Sequence, residues 1–272
     1  MSAPKQVVVS GAFDDIRAHQ LRFLEEASKL GELTVLLWPD ELLQALLGIA
    51  PKFPLAERLY FLNAVRYVSR VVPLRNSESA NVLPVIEGLA PQLWVEADYR
   101  SERQRFCEEH EIEYRVLPAS QMSGFPEPPP ISSAPGRKKV IATGCYDWFH
   151  SGHVRFTEEA SAYGDLYLVV GHDANIRLLK GEGHPLFPQE QLRYAVGSIK
   201  FVKQALISSG NGWLDAEPEI QQIKPDAYIV NQDGDKGGKR EYCKQHGIEY
   251  IVLRRTPAPG LPPRSSTDLR GF

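Results

Sequence analysis

Lys138-Lys139-Val140-Ile141-Ala142-Thr143-Gly144-Cys145-Tyr146-Asp147-Trp148-Phe149-His150-Ser151-Gly152-His153 reads as a strand, a turn and the start of a helix. Residues 140–143 form a short apolar run, and Gly144 lets the backbone turn tightly. From 154 to 163 the apolar residues recur at helical spacing. Residues 166–171 are almost continuously hydrophobic, as in a strand covered on both faces. Further on, helices are expected at 189–201, 217–223 and 239–246. Strands are expected at 205–208, 227–230 and 250–253. Strand–helix alternation implies a parallel, doubly wound sheet, whose ligands bind at the carboxyl ends of strands beside helix N-termini.

The opening is repeated. Lys5-Gln6-Val7-Val8-Val9-Ser10-Gly11-Ala12-Phe13-Asp14 matches the stretch from Lys138 to Asp147 at an offset of 133 residues. Arg22-Phe23-Leu24-Glu25-Glu26-Ala27-Ser28 keeps that offset from Arg155-Phe156-Thr157-Glu158-Glu159-Ala160-Ser161. Phe106-Cys107 and His110-Glu111-Ile112-Glu113-Tyr114 return, 136 residues on, as Tyr242-Cys243 and His246-Gly247-Ile248-Glu249-Tyr250. The expected fold is therefore α/β: two tandem Rossmann-like domains with doubly wound parallel sheets, made by internal duplication. The first spans residues 1–121 and the second 138–272. A linker at 122–137, with five prolines, should be extended and stiff.

The 272 residues are 43% hydrophobic, enough for two cores. A net charge of −3, from 31 basic and 34 acidic residues, argues against a nucleic-acid partner held by bulk positive charge. Three dispersed cysteines, Cys107, Cys145 and Cys243, form no disulfide framework and no C-x-x-C metal pair. Reduced thiols, no signal peptide ahead of the strand at 7–9 and no apolar run of about 18 residues point to a cytoplasmic protein without a membrane span.

His150 and His153 fall near a helix start, where N–H groups and the helix dipole favour anions. Gly152 removes a side chain where a phosphate would approach the main chain. Two imidazoles at such a place suit a phosphorus centre whose charge grows during transfer. A zinc site using His150, His153 and Cys145 or His184 is permitted by spacing, but no second ligand pair follows. Asp147 either orients a histidine or braces the turn by accepting backbone N–H groups.

Gly144-x-Tyr146-Asp147-x-Phe149-His150-x-Gly152-His153 resembles the H-x-G-H signature of the cytidylyltransferase-like nucleotidyltransferases. Residues 173–185, with Leu179-Lys180-Gly181, resemble the lysine-bearing loop of phosphoethanolamine cytidylyltransferases and of ADP-heptose synthase nucleotidyl domains. Arg264-Ser265-Ser266-Thr267-Asp268-Leu269 resembles the family's Ser/Thr-rich turn before a final helix. The three motifs come in the family's order. The resemblance implies that Lys180 contacts the triphosphate, with Gly181 and Gly183 beside it hinging a phosphate lid. It implies that Ser265, Ser266 and Thr267 hold the β- and γ-phosphates with Arg264. It also implies a nucleotide loop at Asn231-Gln232-Asp233-Gly234-Asp235, from which Asp233 is the candidate. The family's Glu-Arg pair after the lysine loop is spread here into Glu190-Gln191-Leu192-Arg193, whereas the first copy keeps Glu57-Arg58.

In the first copy Arg17 stands at the place of His150, Gln20 at that of His153 and Leu47 at that of Lys180. Ile131-Ser132-Ser133-Ala134 is the best counterpart of the final motif, and Pro135-Gly136 would end a helix there. That copy is expected to be inactive and to serve as a built-in partner, giving an intrachain pseudo-dimer or a homodimer. The expected activity is transfer of CMP from CTP, or of AMP from ATP as runner-up, to a small phosphorylated alcohol or sugar, releasing pyrophosphate. His150, His153 and Lys180 are the catalytic candidates, no metal ligand is expected in the chain, and Mg²⁺ is expected with the nucleoside triphosphate. A non-catalytic nucleotide sensor or scaffold is the reading from another class.

Overall fold

The computed structural model describes residues 4–75, 80–132 and 134–269. Two compact units divide the chain, Met1–Gly124 and Phe125–Phe272. Unit 1 runs β1 (Gln6–Gly11), α1 (Ala18–Ser28), β2 (Glu32–Leu37), α2 (Asp40–Leu47), α3 (Leu55–Ala64), β3 (Arg70–Pro73), β4 (Leu93–Glu96), α4 (Ser101–Glu109) and β5 (Glu113–Val116). Its five strands are parallel, in the order β3-β2-β1-β4-β5.

Unit 2 runs β6 (Lys139–Gly144), α5 (Ser151–Ser161), β7 (Asp165–Val170), α6 (Asp173–Lys180), α7 (Gln189–Gly197), β8 (Val202–Ile207), α8 (Glu217–Ile223), β9 (Ala227–Asn231), α9 (Lys239–Gln245), β10 (Glu249–Leu253) and α10 (Ser266–Leu269). Its strands are also all parallel, in the order β8-β7-β6-β9-β10, the same arrangement strand for strand. The direction of winding reverses between β6 and β9, so their carboxyl ends open a crevice.

The apolar runs become the two central strands because both faces are covered. Val140, Ile141, Ala142, Tyr167, Leu168 and Val170 have no exposed surface. On one face Ile141, Tyr167, Val169 and Tyr228 pack with Ile220 and Ile223 of α8 and Cys243 of α9. Cys107 of unit 1 packs the same way against Val8 and Trp94. Burial raises the Cys107 and Cys243 thiols to about 11, which keeps them unreactive.

Several boundaries differ from the sequence reading. The helix expected at 189–201 stops at Gly197, and the strand expected at 205–208 starts at Val202. The supposed loop from residue 173 begins as the helix α6, with Asp173 in its first turn and Arg177 and Lys180 in its last. Opposite charges at the two ends suit the helix dipole, a signal that the loop resemblance masked. The proline-rich segment is held along unit 2 by hydrogen bonds. Arg193 donates to the Pro126 carbonyl (3.1 Å), Gln204 to that of Pro129 (2.6 Å) and Tyr167 to that of Ser132 (2.8 Å). Phe125 packs on Tyr194. Ser132 thus braces unit 2 rather than ending a site in unit 1, and Ser133 lies outside the described residues.

Candidate active site

The turn after β6 is held from inside. Tyr146 takes a positive φ of 52°, and its buried ring folds back on Gly144, where a Cβ would lie 3.1 Å from it. The buried Tyr146 hydroxyl has no partner among the described residues, and burial raises its pKa. Asp147 is buried. Its Oδ1 accepts the Leu186 N–H at 2.5 Å, and its Oδ2 lies 3.3 Å from His184 Nδ1. Asp147 thus accepts a backbone N–H of the segment after α6 and lies beside the His184 ring.

His150 is the N-cap of α5 and His153 its third residue. The His150 Nδ1 accepts the Gly152 N–H (3.1 Å), and the His150 N–H points to His153 Nδ1 (3.4 Å). Two imidazoles thus do the work that a Ser/Thr and a Glu/Gln do in an ordinary capping box. The rings lie 4.0 Å apart, with Phe149 stacked on His153. Because Nδ1 accepts, neutral His150 carries its proton on Nε2. That Nε2 is buried and has no partner among the described residues. Burial, then the charges of Arg255 and Arg264, push the His150 pKa down to about 3. His153 is lowered by burial first, then by His150, Arg255 and Lys180.

A Cβ at Gly152 would come within 2.9 Å of the His150 ring and 3.6 Å of the Arg264 carbonyl. The missing side chain makes room for the imidazole and also leaves the Gly152 main chain on the wall of a cavity.

A cavity of about 580 Å³ opens at the carboxyl ends of β6 and β9. The turn from Gly144 to Asp147 and His153 form one wall. Lys180, Lys236 and Lys239 bring positive charge, and Ser266 and Thr267 close it from the C-terminal side. A smaller cavity of about 210 Å³ shares Phe156 and Asn231 with it and is walled by Gly152, Arg254, Arg255, Arg264, Ser265 and Asp268. The fold thus brings the sequence-derived candidates other than His150 to the walls of two adjoining cavities, with the buried His150 ring packed against His153 and Gly152 behind them. Lys180 ends α6, and Gly181 and Gly183 follow with φ of 90° and 82°, which side chains rarely adopt.

Some candidates are engaged within the protein. Ser265 Oγ donates to Asp268 and accepts its N–H, so it caps α10, and Ser266 Oγ reaches the Trp148 carbonyl (3.4 Å). Asp233 pairs with Arg255 (2.6 Å), and Arg255 also donates to the Arg264 carbonyl (2.8 Å). The displaced Arg193 binds Glu190 and the Pro126 carbonyl, which fixes the start of unit 2. Asn231 opens the loop that the sequence put forward for nucleotide contacts, and Lys239 stands with it on the cavity wall. The Asn231 Oδ1 is buried without a partner among the described residues, and burial lowers the Lys239 pKa. The signal for Asn231 was its place as the last residue of a central strand.

Comparison with known proteins bears on this geometry. The cytidylyltransferase-like family model matches residues 141–271. The FAD synthase of Ferroglobus placidus is 38% identical over 120 residues, 43% of this chain and 75% of that protein. The chain belongs to the cytidylyltransferase-like family. Another relative, the FAD synthase of Methanocella paludicola, is 33% identical over 135 residues, 48% of this chain and 93% of its own. The bifunctional protein HldE of Alcanivorax borkumensis is 33% identical over 123 residues, 44% of this chain and 25% of HldE. This family member is a nucleotidyltransferase, and its family region lies within unit 2. Among the described residues no helix is long and apolar enough to cross a membrane.

Proposed function

We propose that unit 2 transfers an adenylyl group from ATP to a small acceptor that already carries a phosphate. An acceptor phosphate oxygen attacks the α-phosphorus. A new P–O bond forms, the bond from the α-phosphorus to the bridging oxygen breaks, and pyrophosphate leaves with the electron pair. No protein nucleophile is needed. The observation that carries this reading is the His150 ring: Nδ1 is locked by Gly152 N–H, and a buried Nε2–H is left without a protein partner at a helix start. Such a donor serves an oxygen that gains charge in the transition state. His153 stands beside it. Lys180 holds α- and β-phosphate oxygens, and Thr267 and Arg264 hold the leaving pyrophosphate. The sequence alone favoured CTP. ATP is preferred here because an enzyme that makes FAD joins an adenylyl group to a flavin phosphate, and FAD synthases are among the relatives.

The described residues contain no cluster of three or more His, Cys, Asp or Glu able to hold a metal ion. Both carboxylates on the cavity wall, Asp147 and Asp233, are engaged within the protein, so a divalent ion would be carried in on the triphosphate. Mg²⁺ on the β- and γ-phosphates would neutralise their charge.

Unit 1 is read as a duplicated, non-catalytic copy. Trp38 stands where unit 2 has Gly171, and its Nε1 donates to Ser10 Oγ (2.8 Å). Arg103 lies over the Trp38 and Trp94 rings and pairs with Glu96. These side chains occupy the strand ends that border the cavity in unit 2. The identical strand order supports the duplication.

The test is pyrophosphate release by the full chain with Mg²⁺, each nucleoside triphosphate and a panel of phosphorylated acceptors. Release with ATP, lost in His150→Ala, is expected. Release with CTP alone would overturn the choice of nucleotide, and binding of no nucleotide would overturn the transfer reading.

A further inference from the structure

Lys180 sits on an exposed arm. Asn175 and Ile176 of α6 are buried, and every residue from 177 to 183 is exposed. Leu178 and Leu179 turn apolar side chains to solvent, and a Cβ added at Gly181 or Gly183 would meet no atom within 4 Å. Packing therefore does not fix the arm, and its two ends must. At the near end Asn175 exchanges both amide hydrogen bonds with the Gly212 backbone (2.8 and 3.1 Å). At the far end the chain returns to buried Asp147. His184 Nδ1 lies 3.3 Å from its Oδ2, and the Leu186 N–H reaches its Oδ1 at 2.5 Å. An ionised carboxylate only accepts, so His184 donates from Nδ1.

Unit 1 shows what this end looks like without a site. Pro51-Lys52-Phe53-Pro54 corresponds to Pro185-Leu186-Phe187-Pro188. Asp14, the counterpart of Asp147, accepts the N–H groups of Lys52 (2.7 Å) and Phe53 (2.9 Å), one on each oxygen. Lys52 and Leu186 thus do the same work. The second oxygen takes a main-chain N–H in unit 1 and an imidazole in unit 2. Ala50 stands at the place of His184 and Leu47 at that of Lys180, and the segment between them is one residue shorter. Unit 1 lacks the lysine and the histidine together. In unit 2 both line the larger cavity, with Asp147. A side-chain pin can part and re-form without unmaking the main-chain bond beside it, which suits an arm that must admit and release a ligand.

We infer that His184 is a positioning residue: by donating to Asp147 it pins the far end of the arm and holds the Lys180 ammonium at the cavity for the triphosphate. The identity of that ligand rests on the adenylyl-transfer reading. Without the pin, the arm samples conformations that carry Lys180 away from the cavity, and ATP must order it on binding.

The full chain and its His184→Ala and His184→Asn variants are titrated with ATP and Mg²⁺ and, separately, cleaved by trypsin under native conditions. In His184→Ala the ATP Kd should rise roughly ten-fold, and cutting after Arg177 and Lys180 should be roughly ten-fold faster, as expected for loss of one hydrogen bond to a charged group. Asparagine can donate to Asp147, so His184→Asn should restore both to within a few-fold. In a Lys180→Met background His184→Ala should leave the ATP Kd unchanged, because the pin acts through the lysine. A further loss there would mean that His184 touches the phosphates itself, and would overturn the positioning role. So would an unaltered Kd and cutting rate in His184→Ala, or a fall in Tm with no change in either. A wild type that binds no nucleotide overturns the transfer reading, and the cutting rates then decide the pin alone.

Discussion

At His150 one nitrogen is used for structure and the other is left for chemistry. Nδ1 takes the Gly152 N–H, and Nε2 keeps a buried proton with no protein partner among the described residues. His150→Gln should lower kcat by about 10²–10³-fold, the usual effect of removing one donor from a developing oxyanion. The ATP Kd should stay within a few-fold, as equilibrium titration beside steady-state kinetics would show. A large rise in Kd at unchanged kcat would move the role of His150 to ground-state binding. Burial also makes this ring sensitive to acid. Its pKa falls from an ordinary 6.5 to about 3 in the folded protein. The unfolded chain takes up the proton below about pH 6.5, and the folded one does not until about pH 3. Stability is therefore full above pH 6.5 and is lost as pH falls toward 3, by about 1.4 kcal/mol per pH unit for such a ring. The drop in Tm of unit 2 between pH 7 and 5 should be smaller in His150→Gln than in the wild type. An equal drop in both would show that His150 contributes none of it.

At the scale of elements, the β6–α5 turn and the segment after α6 form one assembly. Asp147 joins them by accepting the Leu186 N–H, and the glycines at 181 and 183 let the chain leave Lys180 in conformations other residues resist. Unit 1 uses the same device, with Asp14 accepting the N–H groups of Lys52 and Phe53. Within α5 the packing around Gly152 is the tightest constraint, since a methyl there meets the imidazole at 2.9 Å. Gly152→Ala should keep the fold, because Ala is the better helix former, yet displace the ring. An activity loss comparable to that of His150→Gln, at a Tm within a few degrees of the wild type, is expected. Full activity in Gly152→Ala would show that the site tolerates a moved ring.

At the scale of the whole molecule, two units share a strand order but treat the same place differently. In unit 1 Glu96 is buried with Arg103 and also accepts the Trp94 indole N–H (2.7 Å). Glu96→Ala should cost unit 1 about 3–5 kcal/mol in urea unfolding, because a buried guanidinium loses its counter-charge. A change under about 1 kcal/mol would mean that Arg103 is already relieved by other groups. The sequence by itself determined the parallel α/β architecture and the strand positions to within a few residues. It also put His150, His153 and Lys180 forward as candidates, because apolar runs, glycines and ordered motifs are local signals read along the chain. Only the tertiary structure decided that Gly152 makes room for His150 and that Ser265 is taken by a cap. It alone showed Arg193 clasping the Pro126 carbonyl, Asn231 and Lys239 lining the cavity, and His184 beside Asp147. Each of these depends on atoms from segments that the chain separates and the fold brings within a few ångströms, a distance that no spacing in the sequence encodes.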